Sequence, residues 1–406
     1  MRVFILTAAL VGLAALGLAS PAMARRPIPN TDGAIHVWND QLPDDMTAAQ
    51  VSFEAGHVDG TQKVSLHTAK RIRTHHPGFL VLHYRLAIGD GPVPFRIGDR
   101  WASDYGSVRH HSSWFWHEHG RRVLNKPSDW YLMNPVSGWR KYWARRVLHE
   151  ARLLGDDGVF ADSLSVPQYL GADNFSPPLH YFVGERAWTR RIDRFMRFEK
   201  RRLHGRLWFI PNAGSWITTR DRTDYGIPDG VMIEGYAEPG GGSWYATSDW
   251  RLQMNRVLSL VRRRRIVIAQ CYPAASDVRA RMFALGSYLL TKGTRSFINL
   301  DIGITPQWFP EYGIDLGSPR ARVPSNIGSL RTAAGLYARR FAHGVVVVNP
   351  GETTATYSFS GRLRLVEPHG GGALPADAST SGWGLRGRAV SGSLPLPPHS
   401  AAVLKR

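Results

Sequence analysis

The chain has 406 residues, 43% of them hydrophobic, which is enough for one large core and a second, smaller one. Its 51 Lys and Arg against 32 Asp and Glu give a net charge of +19, which suggests contact with an anionic surface such as an outer membrane or an acidic glycan. The basic residues are spread along predicted helices without a dense tail or a nucleic-acid module, which argues against nucleic acid as a partner.

The N-terminus is typical of an export signal. Arg2 is followed by an apolar run over residues 3–18 and by the small-x-small pattern Ala22-Met23-Ala24. We therefore predict a signal peptide over residues 1–24 and an exported mature protein, periplasmic or extracellular. An uncleaved membrane anchor is the alternative, but the run is short for a span and ends in Ser20-Pro21.

Residues 35–326 alternate short apolar runs with amphipathic stretches, which predicts parallel βα units. Eight runs are predicted as strands: 51–54, 79–84, 130–134, 158–162, 207–212, 230–234, 266–270 and 296–300. Helices are predicted over residues 61–75, 139–154, 186–204, 249–263 and 278–291. This number of units predicts an α/β fold, a (β/α)₈ TIM barrel. A doubly wound sheet is the alternative, although no Gly-x-Gly-x-x-Gly opens a helix after the first strand.

The pattern changes near residue 327. Short strands near residues 344–348, 355–359, 363–366, 390–394 and 401–404 are separated by Gly and Pro turns. We predict a small C-terminal all-β sandwich domain over residues 327–406.

The single cysteine, Cys271, lies in an apolar run. We interpret it as a buried thiol rather than a nucleophile. An exported protein without disulfides must depend on the size of its core.

Two carboxylates end predicted strands, Asp162 on the fourth and Glu234 on the sixth. In a (β/α)₈ barrel the active site lies at the carboxyl ends of the strands. Glycoside hydrolysis needs two carboxyl groups, one to donate a proton and one to attack or to activate water. Asp162 and Glu234 are therefore the predicted catalytic pair, although each could instead be an ordinary loop or cap residue.

Other polar and aromatic side chains at predicted strand ends or in loops would suit a polyhydroxylated ligand. The predicted substrate-binding residues are Glu54, His83, Tyr84, Asn134, Asn212, Gln270, Asp301, Trp216 and Trp244.

His110-His111 and His117-Glu118-His119 contain spacings that could chelate zinc. The pattern His-Glu-x-x-His is absent from this segment, so we predict a polar loop there, with no metal and no cofactor.

Five stretches look familiar when taken together: residues 114–120, 133–135 with Trp139-Arg140, 157–163, 230–235 and 309–317. In this order they resemble a glycosyl-hydrolase barrel family known as hypothetical glycosyl hydrolase family 15. They also look related to the endo-α-1,4-polygalactosaminidase and α-galactosidase types of barrel. In the α-galactosidase type, the strand-four carboxylate is the nucleophile and the strand-six carboxylate the acid/base. The resemblance implies these roles for Asp162 and Glu234, although that type has Asp on strand six.

These observations predict a monomeric glycoside hydrolase that cleaves an exported or surface polysaccharide with two carboxylates. A carbohydrate-binding protein without catalysis on the same scaffold is one alternative. A basic protein that adheres to anionic surfaces without turnover is the other.

Overall fold

The computed structural model describes residues 25–92, 96–97, 100–101, 104–179, 181–301 and 303–406. The predicted signal peptide, residues 1–24, lies outside the described residues. Within the ranges just given, no helix is both long and apolar enough to cross a membrane.

Eight parallel strands form two sheets. The first contains five strands in chain order, and the second contains three. The strands are β1 (Trp38–Gln41), β2 (Gly60–Lys63), β3 (Leu80–Leu86), β4 (Gly158–Asp162), β5 (Trp208–Pro211), β6 (Gly230–Glu234), β7 (Ile266–Gln270) and β8 (Ser296–Asn299). Isolated parallel bridges pair Asn212 with Met232 and Val37 with Ile298, so each outer strand of one sheet has a neighbour in the other.

In the part of the chain that the structure describes, six longer helices connect or follow these strands, which confirms the predicted α/β class. They are α1 (Ala48–His57), α2 (Leu66–His75), α3 (Gly138–Leu154), α4 (Tyr181–Leu203), α5 (Thr247–Arg262) and α6 (Val278–Thr291). The connection from β5 to β6, all of whose residues are described, contains no helix. Shorter helical segments are Tyr105–Val108, Ser112–Trp114, Pro167–Leu170, Ala172–Asn174, Pro310–Gly313 and Ile327–Leu330.

The first predicted strand, residues 51–54, is wrong, because these residues lie in α1. Thr47 and Gln50 form a capping box in which each side chain accepts a hydrogen bond from the other residue's backbone N–H. The Thr-x-x-Gln pattern is a sequence signature of a helix start. Val51, Glu54 and Ala55 are the buried positions, at helical spacing.

Two further predictions are wrong in the same region. The helix predicted from residue 61 begins at Leu66, after a Ser65 N-cap, and residues 60–63 belong to β2. The predicted strand 130–134 is a short strand, Trp130–Leu132, that pairs antiparallel outside the parallel sheets. The predicted count of eight is nevertheless correct, since β1 and β2 replace the two misplaced strands.

A long excursion between β3 and α3 is built from short antiparallel pieces. Their strands are Gly89–Asp90, Arg96–Ile97, Arg100–Trp101, His117–Glu118, Arg121–Arg122, Leu124–Asn125 and Trp130–Leu132, with Phe175–Ser176 added from after β4.

The C-terminal residues form an antiparallel sheet of five strands. They are β9 (Tyr337–Phe341), β10 (Gly344–Asn349), β11 (Ala355–His369), β12 (Gly384–Leu396) and β13 (Ser400–Lys405), in the order β9-β10-β13-β11-β12. A separate pair, Gln307–Trp308 with Gly372–Ala373, links this region to the segment after β8.

Helix α6 lies between the parallel strands and the C-terminal sheet, and twelve of its fourteen residues are buried. Such all-round burial explains its apolar sequence. Gly286 is required here, because a Cβ at this position would lie 2.5 Å from the Cβ of Ala401 on β13. The sheet therefore packs directly on the helix, and Val346, Val348 and Val403 join the large core.

Candidate active site

The amide of Asn212 joins the two predicted catalytic carboxylates. Its Nδ2 donates hydrogen bonds to Asp162 Oδ1 at 2.9 Å and to Glu234 Oε2 at 2.5 Å. Its Oδ1 accepts the Gly214 N–H at 2.9 Å, which fixes the orientation of the amide. Because one nitrogen bonds both acids, the two bonded oxygens are at most about 5.4 Å apart.

These three side chains converge because their strands are adjacent and parallel. Asp162 and Glu234 are the last residues of β4 and β6, and Asn212 directly follows β5 between them. Both carboxylates are partly exposed, whereas only 6% of Asn212 is accessible.

A tyrosine hydroxyl donates to each carboxylate: Tyr84 to Asp162 Oδ2, and Tyr272 to Glu234 Oε1. Burial and the nearby carboxylate charges raise the pKa of both phenols. Both hydroxyls therefore stay protonated as donors at neutral pH. Glu238 positions Tyr272 by accepting its backbone N–H at 2.8 Å.

A third carboxylate, Asp40 at β1, lies close enough for the charge of Asp162 to affect it. Its pKa is raised, mainly by burial and further by Asp162, while Lys63 opposes the shift. Lys63 Nζ and Gln62 Nε2 donate to its two oxygens at 2.8 and 2.5 Å. Sequence reasoning missed Asp40, Gln62 and Lys63, because the strands Trp-Asn-Asp-Gln and Gly-Thr-Gln-Lys contain no apolar run.

Sequence reasoning also missed Tyr272, which lies two residues beyond β7. The only available signal was its position after a predicted strand end, where loop residues also reach the rim.

Gln270 and Asp301 lie at the neighbouring strand ends. Gln270 Nε2 donates to the Asp301 carbonyl at 2.9 Å, and its Oε1 accepts from Asn299 Nδ2 at 3.1 Å. Only 1% of Gln270 is accessible. This pair therefore organises the β7 and β8 ends, and Gln270 presents little surface to a ligand.

Trp216 borders a cavity of about 310 Å³. The cavity is lined by Ser165, Tyr169, Leu170, Ala213, Gly214, Ser215, Trp216, Ile217, Thr218 and Asp221. Its walls are the loops that follow β4 and β5, and its lining starts at Ala213, directly after Asn212. The backbone of Trp216 is left-handed at φ 51°, and Arg256 holds the loop by donating to the Thr218 and Asp221 carbonyls at 2.9 and 2.7 Å.

Two residues predicted to bind substrate point away from the cluster. Glu54 lies in α1, fully buried, and accepts a hydrogen bond from Asn39 Nδ2 at 2.6 Å. His83 is also fully buried, and its ring nitrogens contact Glu150 at 3.1 Å and Asp156 at 3.3 Å. His83 points away from the carboxylates because successive side chains of a strand alternate between its faces, and its neighbour Tyr84 takes the face of the site.

Two others occupy different parts of the fold. Trp244 stacks on His399 of the C-terminal region, with ring centroids 4.8 Å apart and planes 2° from parallel. Asn134 follows the short strand Trp130–Leu132 and shapes the turn before α3, where its Oδ1 accepts the Val136 N–H at 3.2 Å.

The histidine segment forms part of the excursion. His111 stacks on Trp114 at 3.9 Å, and His117 Nδ1 contacts the Phe115 carbonyl at 3.1 Å. Among the residues that the structure describes, no group of three His, Cys, Asp or Glu side chains could hold a metal ion. Cys271 is a buried free thiol, as predicted.

The sequence model of hypothetical glycosyl hydrolase family 15 matches residues 73–345, which is more than half of the chain. This stretch includes Asp162, Asn212 and Glu234. No curated protein matches the chain significantly.

Three solved structures are similar at low identity. The glycoside hydrolase domain of PelA from Pseudomonas aeruginosa is 15% identical with a TM-score of 0.42, over 67% of this chain and 96% of that one. Ega3 from Aspergillus fumigatus, in complex with galactosamine, is 14% identical with a TM-score of 0.40, over 68% and 94%. The maltogenic α-amylase AmyB from Thermotoga neapolitana is 12% identical with a TM-score of 0.47, over 92% and 98%. These scores are too low to assign an activity.

Proposed function

This chain belongs to hypothetical glycosyl hydrolase family 15, and we propose that it cleaves a polysaccharide with Asp162 and Glu234 as its catalytic carboxyl groups. Family membership confirms the predicted glycoside hydrolase. The observation that carries the residue assignment is the Asn212 amide, which bonds both carboxylates at once.

The proposed scaffold is a closed (β/α)₈ barrel followed by a small β-sandwich. The parallel bridges Asn212–Met232 and Val37–Ile298 support closure, since they lie at both seams between the two sheets. A closed barrel would gather all eight carboxyl ends at one rim. The second apolar cluster, which includes Val345, Leu394 and Leu404, supports a sandwich because it lies apart from the main core.

The upper limit of about 5.4 Å between the two oxygens that Asn212 bonds favours a retaining mechanism. Retaining glycosidases hold their carboxyl groups roughly 5–5.5 Å apart, whereas inverting enzymes leave about 6.5–9.5 Å for a water. In the first step Asp162 would attack the anomeric carbon as Glu234 protonates the departing glycosidic oxygen. In the second step Glu234 would remove a proton from water, which attacks the glycosyl ester and releases Asp162.

The hydrogen bonds support this division of roles. Asp162 accepts from Tyr84, from Asn212 and from the Ser163 N–H at 2.8 Å, and three donors stabilise an ionised nucleophile. Glu234 contacts Tyr272, whose hydroxyl can donate or accept. That contact can therefore persist in both protonation states that an acid/base must visit.

The cavity beside Gly214 would hold one sugar residue next to the cleavage point. Trp216 supplies an aromatic wall, and Ser165, Thr218 and Asp221 supply polar groups. Export, suggested by the N-terminal segment, would place the enzyme where a surface polysaccharide is its substrate.

The test uses Asp162→Asn and Glu234→Gln in the full chain, screened with the wild type against bacterial exopolysaccharides. Each variant should lose about 10²- to 10⁴-fold in kcat on a polymer that the wild type cleaves. Asp315→Asn and Glu352→Gln, which change exposed carboxylates elsewhere, are matched controls. NMR of the first-formed product should show retention. Full activity in either active-site variant would eliminate the assignment, and an inverted product would remove Asp162 as nucleophile.

A further inference from the structure

A basic groove of about 630 Å³ lies at the opposite ends of the parallel strands from the carboxylates. One wall is the turn from α5 into β7, another is the segment just before β8, and the third is residues 319–323. Its charged lining residues are Arg262, Arg264, Arg320, Arg322, Arg339 and Asp32.

Three of these arginines are available to a ligand. Arg262, Arg264 and Arg322 are exposed, and the structure gives their side chains no hydrogen bond or ion pair with any residue that it describes. Arg320 and Arg339 already donate to backbone carbonyls, Arg320 to Phe341 at 3.1 Å and Arg339 to Lys292 at 2.8 Å. The three unpaired guanidinium groups therefore lie beside backbone segments that Arg320 and the buried Arg339 fix by hydrogen bonds.

The single acidic residue in that lining does not neutralise the groove. Asp32 interacts electrostatically with two buried bases, Lys292 and Arg339, and its carbonyl accepts from Lys292 Nζ at 2.9 Å. The charges of Arg262, Arg264 and Arg322 remain uncompensated, which favours binding of an anion.

Helix dipoles explain only part of this arrangement. Arg262 is in the last turn of α5, where a cation is stabilised by the helix C-terminus. Arg322 lies outside any helix. Arg264 has a left-handed backbone at φ 54°, a conformation that Gly or Asn adopts more easily. The chain thus carries arginines where local structure does not favour them.

The residues that line the groove indicate the kind of anion. Guanidinium groups match carboxylate and sulfate groups with paired hydrogen bonds. The exposed large hydrophobic residues, Leu153, Ile304 and Leu385, all lie outside the lining, whereas surfaces that insert into a membrane combine cations with apolar side chains. Aromatic rings, on which nucleic-acid bases would stack, are also absent from the residues that line it.

We propose that this groove binds an acidic polysaccharide through the carboxylate or sulfate groups of successive sugars, at a site separate from the proposed catalytic cleft. A polymer held there could remain attached while a different part of it, or another chain, occupies the carboxyl-end rim. The proposal does not depend on the identity of the catalytic residues.

The test compares two triple variants of the full chain. Arg262→Gln/Arg264→Gln/Arg322→Gln alters the groove. Arg362→Gln/Arg364→Gln/Arg386→Gln removes the same charge from exposed positions on β11 and β12. Binding is measured with polygalacturonate, dextran sulfate, neutral dextran, phosphatidylglycerol vesicles and a single-stranded oligonucleotide, each at low and high salt.

The wild type should bind one or both acidic polysaccharides in a salt-sensitive manner and should not bind neutral dextran. The groove variant should bind about tenfold more weakly, and the control variant about as well as the wild type. Glu234→Gln should bind normally, which separates this site from the catalytic proposal. Equal losses in both triple variants, or no binding to either acidic polysaccharide, would overturn the proposal. So would vesicle or oligonucleotide binding that equals the polysaccharide binding and is lost in the groove variant.

Discussion

Glu54 was predicted to bind substrate, but the structure buries it, and a substitution can distinguish these two roles. It is fully buried in α1. Among the residues that the structure describes, Asn39 is its one hydrogen-bond donor and its Oε1 has no partner. Burial raises the pKa of this carboxyl from 4.5 to about 8. Replacing it by Gln keeps the shape and the Asn39 contact but removes the ionisable group.

The sign and size of the effect follow from proton linkage. Between pH 4.5 and about pH 8 the folded chain retains a proton that the unfolded chain has lost. Its free energy of unfolding therefore falls as pH rises through this window. Each pKa unit corresponds to about 1.4 kcal/mol, so the loss approaches about 5 kcal/mol above pH 8 and about 3 kcal/mol at pH 7. Glu54→Gln has no ionisable group at this position. The amount by which its free energy of unfolding exceeds that of the wild type should therefore grow with pH.

Urea denaturation of both proteins at about pH 5, 7 and 8.5 measures that difference. Glu352→Gln, which alters an exposed carboxylate, is the control and should show no comparable trend. An equal difference at all three pH values would refute the reasoning, because it would mean that Glu54 is not protonated in the fold. A loss of activity in Glu54→Gln without a loss of stability would instead support the prediction that Glu54 binds substrate.

Three other substitutions test the site and its support. Asn212→Ala removes the donor shared by Asp162 and Glu234 and should lower kcat by about 10- to 100-fold; steady-state kinetics that show a change in KM alone would contradict this role. Trp216→Ala should raise KM by up to about tenfold with little effect on kcat, and an unchanged KM would exclude Trp216 from the sugar-binding cavity. Glu311→Ala leaves the guanidinium of Arg281 buried without its 2.7 Å partner and should destabilise the fold by about 3–5 kcal/mol. A urea midpoint equal to that of the wild type would show that solvent reaches Arg281.

The strands that carry the proposed catalytic pair were predictable because they are buried on both faces. The structure has β4 at Gly158–Asp162, β6 at Gly230–Glu234 and β7 at Ile266–Gln270, as their apolar runs predicted. Continuous apolar runs of this length, bounded by Gly or by a polar residue, are typical of parallel strands. The polar residue at the end of each run therefore located one rim of the sheets.

The first two strands could not be found in this way. Residues 38–41 and 60–63 contain Asn, Asp, Gln and Lys. Asp40 accepts from Gln62 and Lys63, and Asn39 donates to Glu54 of α1. Trp38 Nε1 donates to Gln62 Oε1 at 2.5 Å, so even the aromatic residue takes part in that network. Hydrophobic periodicity does not detect a strand whose buried face is polar. A buried carboxylate such as Asp40 needs polar neighbours. Those neighbours also remove the apolar run from the sequence, so the prediction missed Asp40.

Asn212 shows what a strand-by-strand interpretation leaves out. Its position after β5 predicted that its side chain would reach the rim, but not that one amide would contact the acids on both neighbouring strands. That contact depends on register: Ala161 pairs with Pro211, and Asn212 forms a bridge with Met232, two residues before Glu234. A shift of one residue in either pairing would turn one carboxylate to the opposite face. The position of the proposed catalytic pair thus depends on the register of three strands. The Asn212 amide can donate to both acids only because β4, β5 and β6 are paired in this register.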